Sequence, residues 1–402
     1  YSDVGRAKNI SYKVPYGTSN ANYRTKQVSY TFKNFGAVAT TTYNGETLEY
    51  KYDNFGRATG LKASGSLFSN DQLVSDASYE PFGPLKEFTL GNGAKQSFSL
   101  DSAYRTSNIS SDFDYGSESI NYVLDSSGFV RRSSLTNADG AEIGAKIFSL
   151  SGYGRLKNVG WQQDSGVPLN PARTYIGYSY DSYGNRIGQS SSDDRSANST
   201  AIPFETRTIT VDRPNNQLKS MSVASGAKTT STAYSYSGLG DLSGDGSTTY
   251  QYNERHRLTD VLSSGARVLQ NVYNQLGQRI EKIDLTKQAG NDSLYWNFVY
   301  GADNELLFET KAANSIRTYV YFAGRPVAMY GGAPLYDNQE STKQYLVFND
   351  SQKIVSSAGG ETFNGNAMGG DGDFQANLSR SGVANLGSSY LGLSIRESIS
   401  NP

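Results

Sequence analysis

Tyr50-Lys51-Tyr52-Asp53-Asn54-Phe55-Gly56-Arg57 is the stretch whose reading decides the fold. Tyr50 and Tyr52 stand two apart, so in an extended chain they share one face of a sheet. Asp53 opens a four-residue turn, where its carboxylate can accept a nearby backbone N–H. Gly56 holds the late turn position, at which φ is expected to be positive and a Cβ would cost energy. Together these predict a type I turn followed by a glycine bulge, a common hairpin connector. Arg57 opens the return strand, placed to lay its guanidinium on a neighbouring Tyr ring.

The phrase recurs. Tyr178-Ser179-Tyr180-Asp181-Ser182-Tyr183-Gly184-Asn185-Arg186 is a second clear copy, and looser ones begin at Tyr1, Tyr30, Tyr79, Tyr122, Phe148, Tyr234, Tyr273, Tyr300 and Tyr319. Their turn glycines fall at Gly5, Gly36, Gly83, Gly128, Gly154, Gly240, Gly277 and Gly324. Degenerate copies, Asp101-Ser102-Ala103-Tyr104-Arg105 and Asn253-Glu254-Arg255-His256-Arg257, fill wide gaps. The spacing averages roughly 23 residues, within the range of repeat architectures. That length fits two strands and two turns, which predicts about 28 strands in all. One such hairpin cannot bury a face alone, but hairpins stacked in series form a continuous sheet that must twist, curl or close.

Composition agrees. Only 36% of the 402 residues are hydrophobic, below the usual globular share. Tyrosine compensates, with 30 copies against 17 Phe and 2 Trp. Its ring buries area while its hydroxyl reaches water or a partner, which suits a half-wet sheet face. The 42 glycines supply many tight turns. The reading is therefore all-β, with many short strands.

The formal net charge is −1 and no basic stripe is present, so nucleic acid is not an expected partner. No run of 18 apolar residues predicts a transmembrane helix. With 0 cysteines, disulfides and thiolate metal sites are excluded. No signal peptide is visible, and Tyr1 falls within a repeat, so the chain is read as part of a longer polypeptide.

Tyr52-Asp53-Asn54-Phe55-Gly56-Arg57 and Tyr180 to Arg186 resemble the signatures of YD repeats, the RHS-repeat family. Tyr234-Ser235-Tyr236-Ser237-Gly238-Leu239-Gly240-Asp241-Leu242, with Asp245-Gly246 and Tyr250-Gln251-Tyr252, is similar to that family's paired phrase. Tyr79 to Gly83 followed by Leu90-Gly91-Asn92-Gly93, and Arg325-Pro326-Val327-Ala328, resemble further segments. The resemblance covers residues 1–356. It extends to bacterial Rhs and wall-associated proteins, Tc-toxin B and C components and teneurins. It implies a β-hairpin spiral forming part or all of a hollow shell or barrel, enclosing a C-terminal effector in the toxins and serving adhesion in teneurins. The chain departs from toxin-type members in lacking their Asp-Pro-x-Gly-Leu motif. A His-Leu-Gly phrase is absent too, with Tyr345-Leu346-Val347-Phe348-Asn349-Asp350 in its place. Self-cleavage is therefore not carried over.

Residues 357–402 change character to Gly, Asn and Ser, as in Gly369-Gly370-Asp371-Gly372. This tail is read as a linker, a plug or a pairing strand, with Ser389 to Ile395 as one possible strand. Ser190 to Thr200 is read as a polar surface loop.

Catalytic candidates are few. His256 is the single histidine, so any triad or His-rich metal site would have to use it. It lies in a polar turn without a nucleophile elbow, and is read as a turn residue. Asp241 to Gly246 resembles the start of a calcium loop, but Tyr252 occupies the position where Glu is needed. Asp371-Gly372-Asp373 is read as flexible tail, with a calcium site as the alternative, and Asp112/Asp114 and Asp193/Asp194 as solvated turns, with a glycosidase pair as the alternative. Trp161 and Trp296 are read as packing residues, with sugar stacking as the alternative.

The chain is therefore expected to be no enzyme and to need no cofactor. Its expected role is that of a structural β-shell segment of a secreted or cell-surface bacterial protein, enclosing polypeptide or building a surface assembly. Companion chains are expected at open sheet edges. The alternative is an adhesion or carbohydrate-binding module with a glycan partner. The residues on which the reading rests are the repeat positions Tyr50, Tyr52, Asp53, Gly56, Arg57, Tyr178, Tyr180, Asp181, Gly184, Tyr236, Gly240, Gly277, Gly324 and Arg325.

Overall fold

The structure, a computed structural model, describes residues 5–15, 23–68, 71–113, 116–137, 139–162, 175–193, 202–286, 295–311, 314–331, 343–348, 354–358, 365–367 and 376–378. Among these residues there is no helix. Strands run from Asn9–Pro15 to Ile354–Ala358 and form one open 29-stranded sheet, close to the number expected from the repeat length. A separate pair, Gly365–Ala367 with Ala376–Leu378, lies in the Gly-rich tail. The rest of the tail lies outside the described residues; of the stretch 190–200, expected as a loop, Ser190 to Asp193 instead finish the strand Arg186–Asp193, paired with Ile202–Asp212, and the remainder lies outside the described residues.

Each strand pairs with the next in sequence, and the registers are antiparallel, as in Tyr43↔Glu46 and Tyr50↔Leu61. The hairpin from Glu46–Tyr52 to Ala58–Ser64 shows the local rule. The Gly56 amide donates to the Asp53 carbonyl at 3.1 Å, and the Asp53 amide donates to the Arg57 carbonyl at 2.9 Å. Gly56 has φ +77°, and the register slips between Lys51 and Tyr52. This is a type I turn closed by a left-handed residue. The same pair of bonds closes the turns that begin at Lys33, Glu80, Asp101, Asp125, Ser151, Asp181, Ser237, Asn253, Asn274 and Gly301. The degenerate copies make the same turn with a side chain in the glycine slot: Tyr104 at φ +60° and His256 at φ +57°.

Other hairpins turn differently. Asn44-Gly45 and Ser264-Gly265 are two-residue turns with both φ values positive. Ala323-Gly324 is another, at φ +48° and +76°. Gly324 therefore sits in a tighter turn than Gly56, and Arg325 pairs directly with Phe322.

Two compact units divide the chain: Tyr1–Ser99, Ile109–Gly116 and Val272–Pro402 make the first, and Leu100–Asn108 and Ser117–Asn271 the second. In the first unit, early strands face late ones across a dry aromatic core. Tyr43 stacks on Phe308 at 6.3 Å, Phe88 meets Phe322 at 6.2 Å, and Phe68 meets Tyr330 at 6.0 Å. Fully burying each such ring contributes about 1.5–3 kcal/mol. In the second unit, Lys228–Ser231 are exposed and Thr232–Tyr236 alternate half-buried and exposed, and Ser222 Oγ meets Ser231 Oγ at 2.7 Å on an open face. Apart from Tyr250, its buried apolar residues among the described ones, such as Leu135, Val159, Val261 and Leu269, are aliphatic and smaller.

Candidate functional site

The candidate site is the edge of turns built by the repeat. Asp53 Oδ1 accepts the amides of Phe55 and Arg57, both at 2.9 Å, while Oδ2 accepts Arg57 Nε at 2.7 Å. One carboxylate thus satisfies the turn's inner donors and fixes the arginine that starts the return strand. Burial pushes the Asp53 carboxyl up, and the Arg57 and Phe55 bonds more than offset it, so it lies below the usual carboxylate range. Asp101 is held low first by the Arg105 guanidinium, and Asp181 first by the Asn185 amide at 2.9 Å.

Several turns are also fastened to their neighbours; the sequence anticipated the Arg57 guanidinium on a neighbouring Tyr ring but not the hydrogen bonds from turn to turn. Arg57 Nη1 donates to the Glu80 carbonyl of the following turn at 3.4 Å, and its guanidinium lies 4.9 Å from the Tyr79 ring centre. Arg105 reaches the Asp125 carbonyl at 2.9 Å, and Arg155 the Asp181 carbonyl at 3.4 Å. Gln278 Nε2 donates to Asn304 at 2.7 Å, and Asn185 to Asn216 at 2.6 Å. In the reverse direction, the Tyr before four of the turns donates its hydroxyl to the carbonyl just after the preceding turn. Tyr52 reaches Val38, Tyr79 reaches Ala58 and Tyr180 reaches Leu156, each at 2.7 Å, and Tyr300 reaches Arg279 at 3.0 Å. The signal available in the sequence was the fixed place of Tyr directly before the turn, at Tyr52, Tyr180 and Tyr300 alike.

Glycine has a second reason at one of these turns. A Cβ at Gly184 would lie 2.7 Å from Arg155 Nη2, and one at Gly56 would lie 3.6 Å from the Phe35 ring. At Gly184 the positive φ and the missing bulk are both used, whereas the contact at Gly56 is an ordinary one and its φ alone calls for glycine.

The other repeat positions divide by environment. Tyr50 leaves the turn edge and donates its hydroxyl to the Tyr321 carbonyl at 3.3 Å across the first unit's core. Tyr12 reaches the Tyr300 carbonyl at 2.9 Å, Tyr43 reaches that of Tyr319, and the Ala302 amide donates to the Tyr30 hydroxyl at 2.8 Å. Burial raises the Tyr30, Tyr43 and Tyr50 hydroxyls well above their ordinary range, so they stay protonated donors or acceptors. Arg325 lies 4.5 Å from the Phe98 ring centre, and burial lowers its pKa. In the second unit, Tyr178 carries Arg186 at 5.6 Å. Tyr236 is half-buried opposite Leu242, and Gly240 has φ +91°. Gly277, in the first unit, has φ +78°.

The third turn residue projects outward. Phe55 is 84% exposed, Phe82 85% and Phe35 60%, and in the second unit Tyr153 is 88% and Tyr183 76% exposed.

The catalytic candidates do not converge. His256 Nδ1 lies 2.9 Å from both Asp241 oxygens, so the histidine links its turn to the preceding one. That carboxylate belongs to the segment resembling a calcium loop. Among the described residues no group of three or more His, Cys, Asp or Glu is arranged to hold a metal ion. Asp112 accepts Ser110 at 3.4 Å. Asp114, Asp194, the 371–373 segment and the Trp161 side chain lie outside the described residues. Trp296 is half-buried, with Lys311 Nζ 5.1 Å from its ring centre, so it forms no open platform. No helix of the described residues is long and apolar enough to cross a membrane.

No family model matches this sequence, and no curated protein does. Solved structures do match. The crystal structure of TcdB2-TccC3 covers 89% of this chain at 16% identity, with a TM-score of 0.56. A Photorhabdus luminescens Tc holotoxin pore covers 87% at 16% identity and a TM-score of 0.55. TcdB2-TccC3 without its hypervariable C-terminal region covers 87% at a TM-score of 0.52. This chain spans only 18% to 19% of those chains. The shared feature is the fold: this chain is an all-β antiparallel sheet similar to one portion of the Tc toxin proteins TcdB2-TccC3.

Proposed function

We propose that the chain is a structural segment of a YD-repeat β-shell in a secreted or cell-surface bacterial protein. It encloses polypeptide or builds a surface assembly, and companion chains join at its sheet edges. The repeat region is residues 1–356, with 357–402 as a tail that links or plugs. The observation that carries this reading is the fastening of successive turns to one another, seen where Arg57 holds the Glu80 carbonyl and Tyr79 holds that of Ala58. Such links spread load along a wall of hairpins. Similarity to TcdB2-TccC3 supports the fold on which the reading depends. An exported role for this chain is our inference from the shared fold.

The test is electron microscopy of the 402-residue chain, alone and within the longest polypeptide that contains it. A curved wall around a lumen is expected, with guest chain inside it resistant to protease until the wall is unfolded. A solid particle without internal volume, or a guest cut as fast as free peptide, overturns the reading.

A further inference from the structure

The sheet is open, and its first strand, Asn9–Pro15, pairs among the described residues with one neighbour only, Tyr23–Phe32. In a ladder every second amide and carbonyl of a strand faces away from its partner, so this strand turns a row of donors and acceptors outward. The row is held in place. Tyr12 donates its hydroxyl to the Tyr300 carbonyl at 2.9 Å, and the Tyr30 amide donates to the Lys8 carbonyl at 2.7 Å. Side chains alternate along the strand: Asn9, Ser11 and Lys13 are exposed, while Ile10 and Tyr12 are half-buried on the face that meets Tyr300. The charge here is one-sided. Between Val4 and Gly45 stand Arg6, Lys8, Lys13, Arg24, Lys26 and Lys33, and no Asp or Glu. Over the whole chain the signs nearly cancel, at 37 basic against 38 acidic residues, so this edge is a local exception.

We infer that this edge is the docking site for an acidic strand of a companion chain, added by main-chain pairing alongside Asn9–Pro15. The inference rests on the companion-chain part of the proposed function and names the chemistry of that partner. Sheet geometry sets the pattern it must carry. An added strand continues both faces, so alternate side chains fall beside Ile10 and Tyr12, and those between them fall beside Ser11 and Lys13. The first set is apolar, to extend the half-buried face, and the second is acidic, to pair with Lys13. Pro15 offers no amide, so the stretch able to donate is residues 9–14, about the length of an ordinary strand. Charge also decides against a second copy of this chain as the occupant. Edge against edge would bring the basic stretch of one copy beside that of the other, and like charges across a ladder are destabilising.

The experiment is fluorescence-anisotropy titration of the intact 402-residue chain into labelled heptapeptides. The probes are an alternating Glu-Val peptide, its Lys-Val counterpart, and a Glu-Val peptide with a central proline that cannot complete a ladder. Hydrogen exchange of residues 9–14 reports where the peptide lies. The Glu-Val peptide is expected to bind, to slow exchange in that strand, and to lose affinity as salt rises. Lys13→Glu should weaken it about tenfold, because a cross-strand attraction becomes a repulsion. The same variant should let the Lys-Val peptide bind instead, with the melting temperature unmoved. No binding of the Glu-Val peptide overturns the inference. So does equal binding of the Lys-Val or proline peptide, affinity unchanged in Lys13→Glu, or protection confined to other strands. Such a failure in a particle that microscopy shows as a wall around a lumen removes the acidic strand alone. Binding by a particle without a lumen removes the shell alone.

Discussion

The two units run the same repeat and reach different interiors. Turn 53–57 in the first and turn 181–185 in the second close with matching bonds from Asp53 and Asp181. Yet the largest fully buried side chains, Tyr43, Tyr319, Phe68, Phe88, Phe308 and Phe322 among them, all belong to the first unit. There, early and late strands present faces to each other, and Tyr hydroxyls cap distant carbonyls. In the second, strands such as Gln217–Ser225 and Lys228–Tyr236 are half-buried or exposed along their length. The turn code builds the ladder, while a core needs a second layer.

The sharpest way to break the comparison is a matched pair of truncations. Phe322→Ala should destabilise the first unit by about 3–5 kcal/mol, the range for deleting a buried ring. Ile209→Ala, at a half-buried position of the second unit, should cost about 1 kcal/mol. Separate denaturant transitions would check this, and equal costs would deny the difference in interiors. Next comes Gly56→Val, which should cost about 1–3 kcal/mol through its left-handed φ. An unchanged melting temperature would remove the turn assignment.

Glu281 sharpens the picture of the first unit. Burial raises its carboxyl to about 6, and Oε1 accepts no hydrogen bond among the described residues. A raised folded pKa means that the favourable term is present at low pH and lost as pH rises from about 4.3 through 6. Glu281→Gln should therefore stabilise at pH 7 by about 1 kcal/mol, reduced from about 2 because the group still meets solvent. The gain should vanish below about pH 4.3, as denaturant melts across pH would show. The smallest expected effect is Tyr104→Gly in the second unit, stabilising by about 0.5–1 kcal/mol by relieving φ +60° in calorimetry.

Much of the fold was legible because its rules are short-ranged. Asp53 bonds amides two and four residues on, and Gly56 answers a local φ requirement, so both could be read from eight consecutive residues. Even the degenerate copies at Asp101 and Asn253 announced their turns. The candidate site was only half legible. The turn positions were visible, but nothing nearby in sequence tells that Phe55 stands in solvent while Tyr50, five residues before it, lies against Tyr321.

By itself, then, the sequence determined strand, turn and pairing with the next strand, since each depends on contacts within one repeat. Only the tertiary structure decided which tyrosines cap distant carbonyls, where aromatic rings meet in a dry layer, and which remain open to water. Those outcomes depend on contacts some 270–290 residues apart, such as Tyr12 with Tyr300 and Tyr50 with Tyr321. No local preference encodes them, because burial depends on which faces the long sheet brings together.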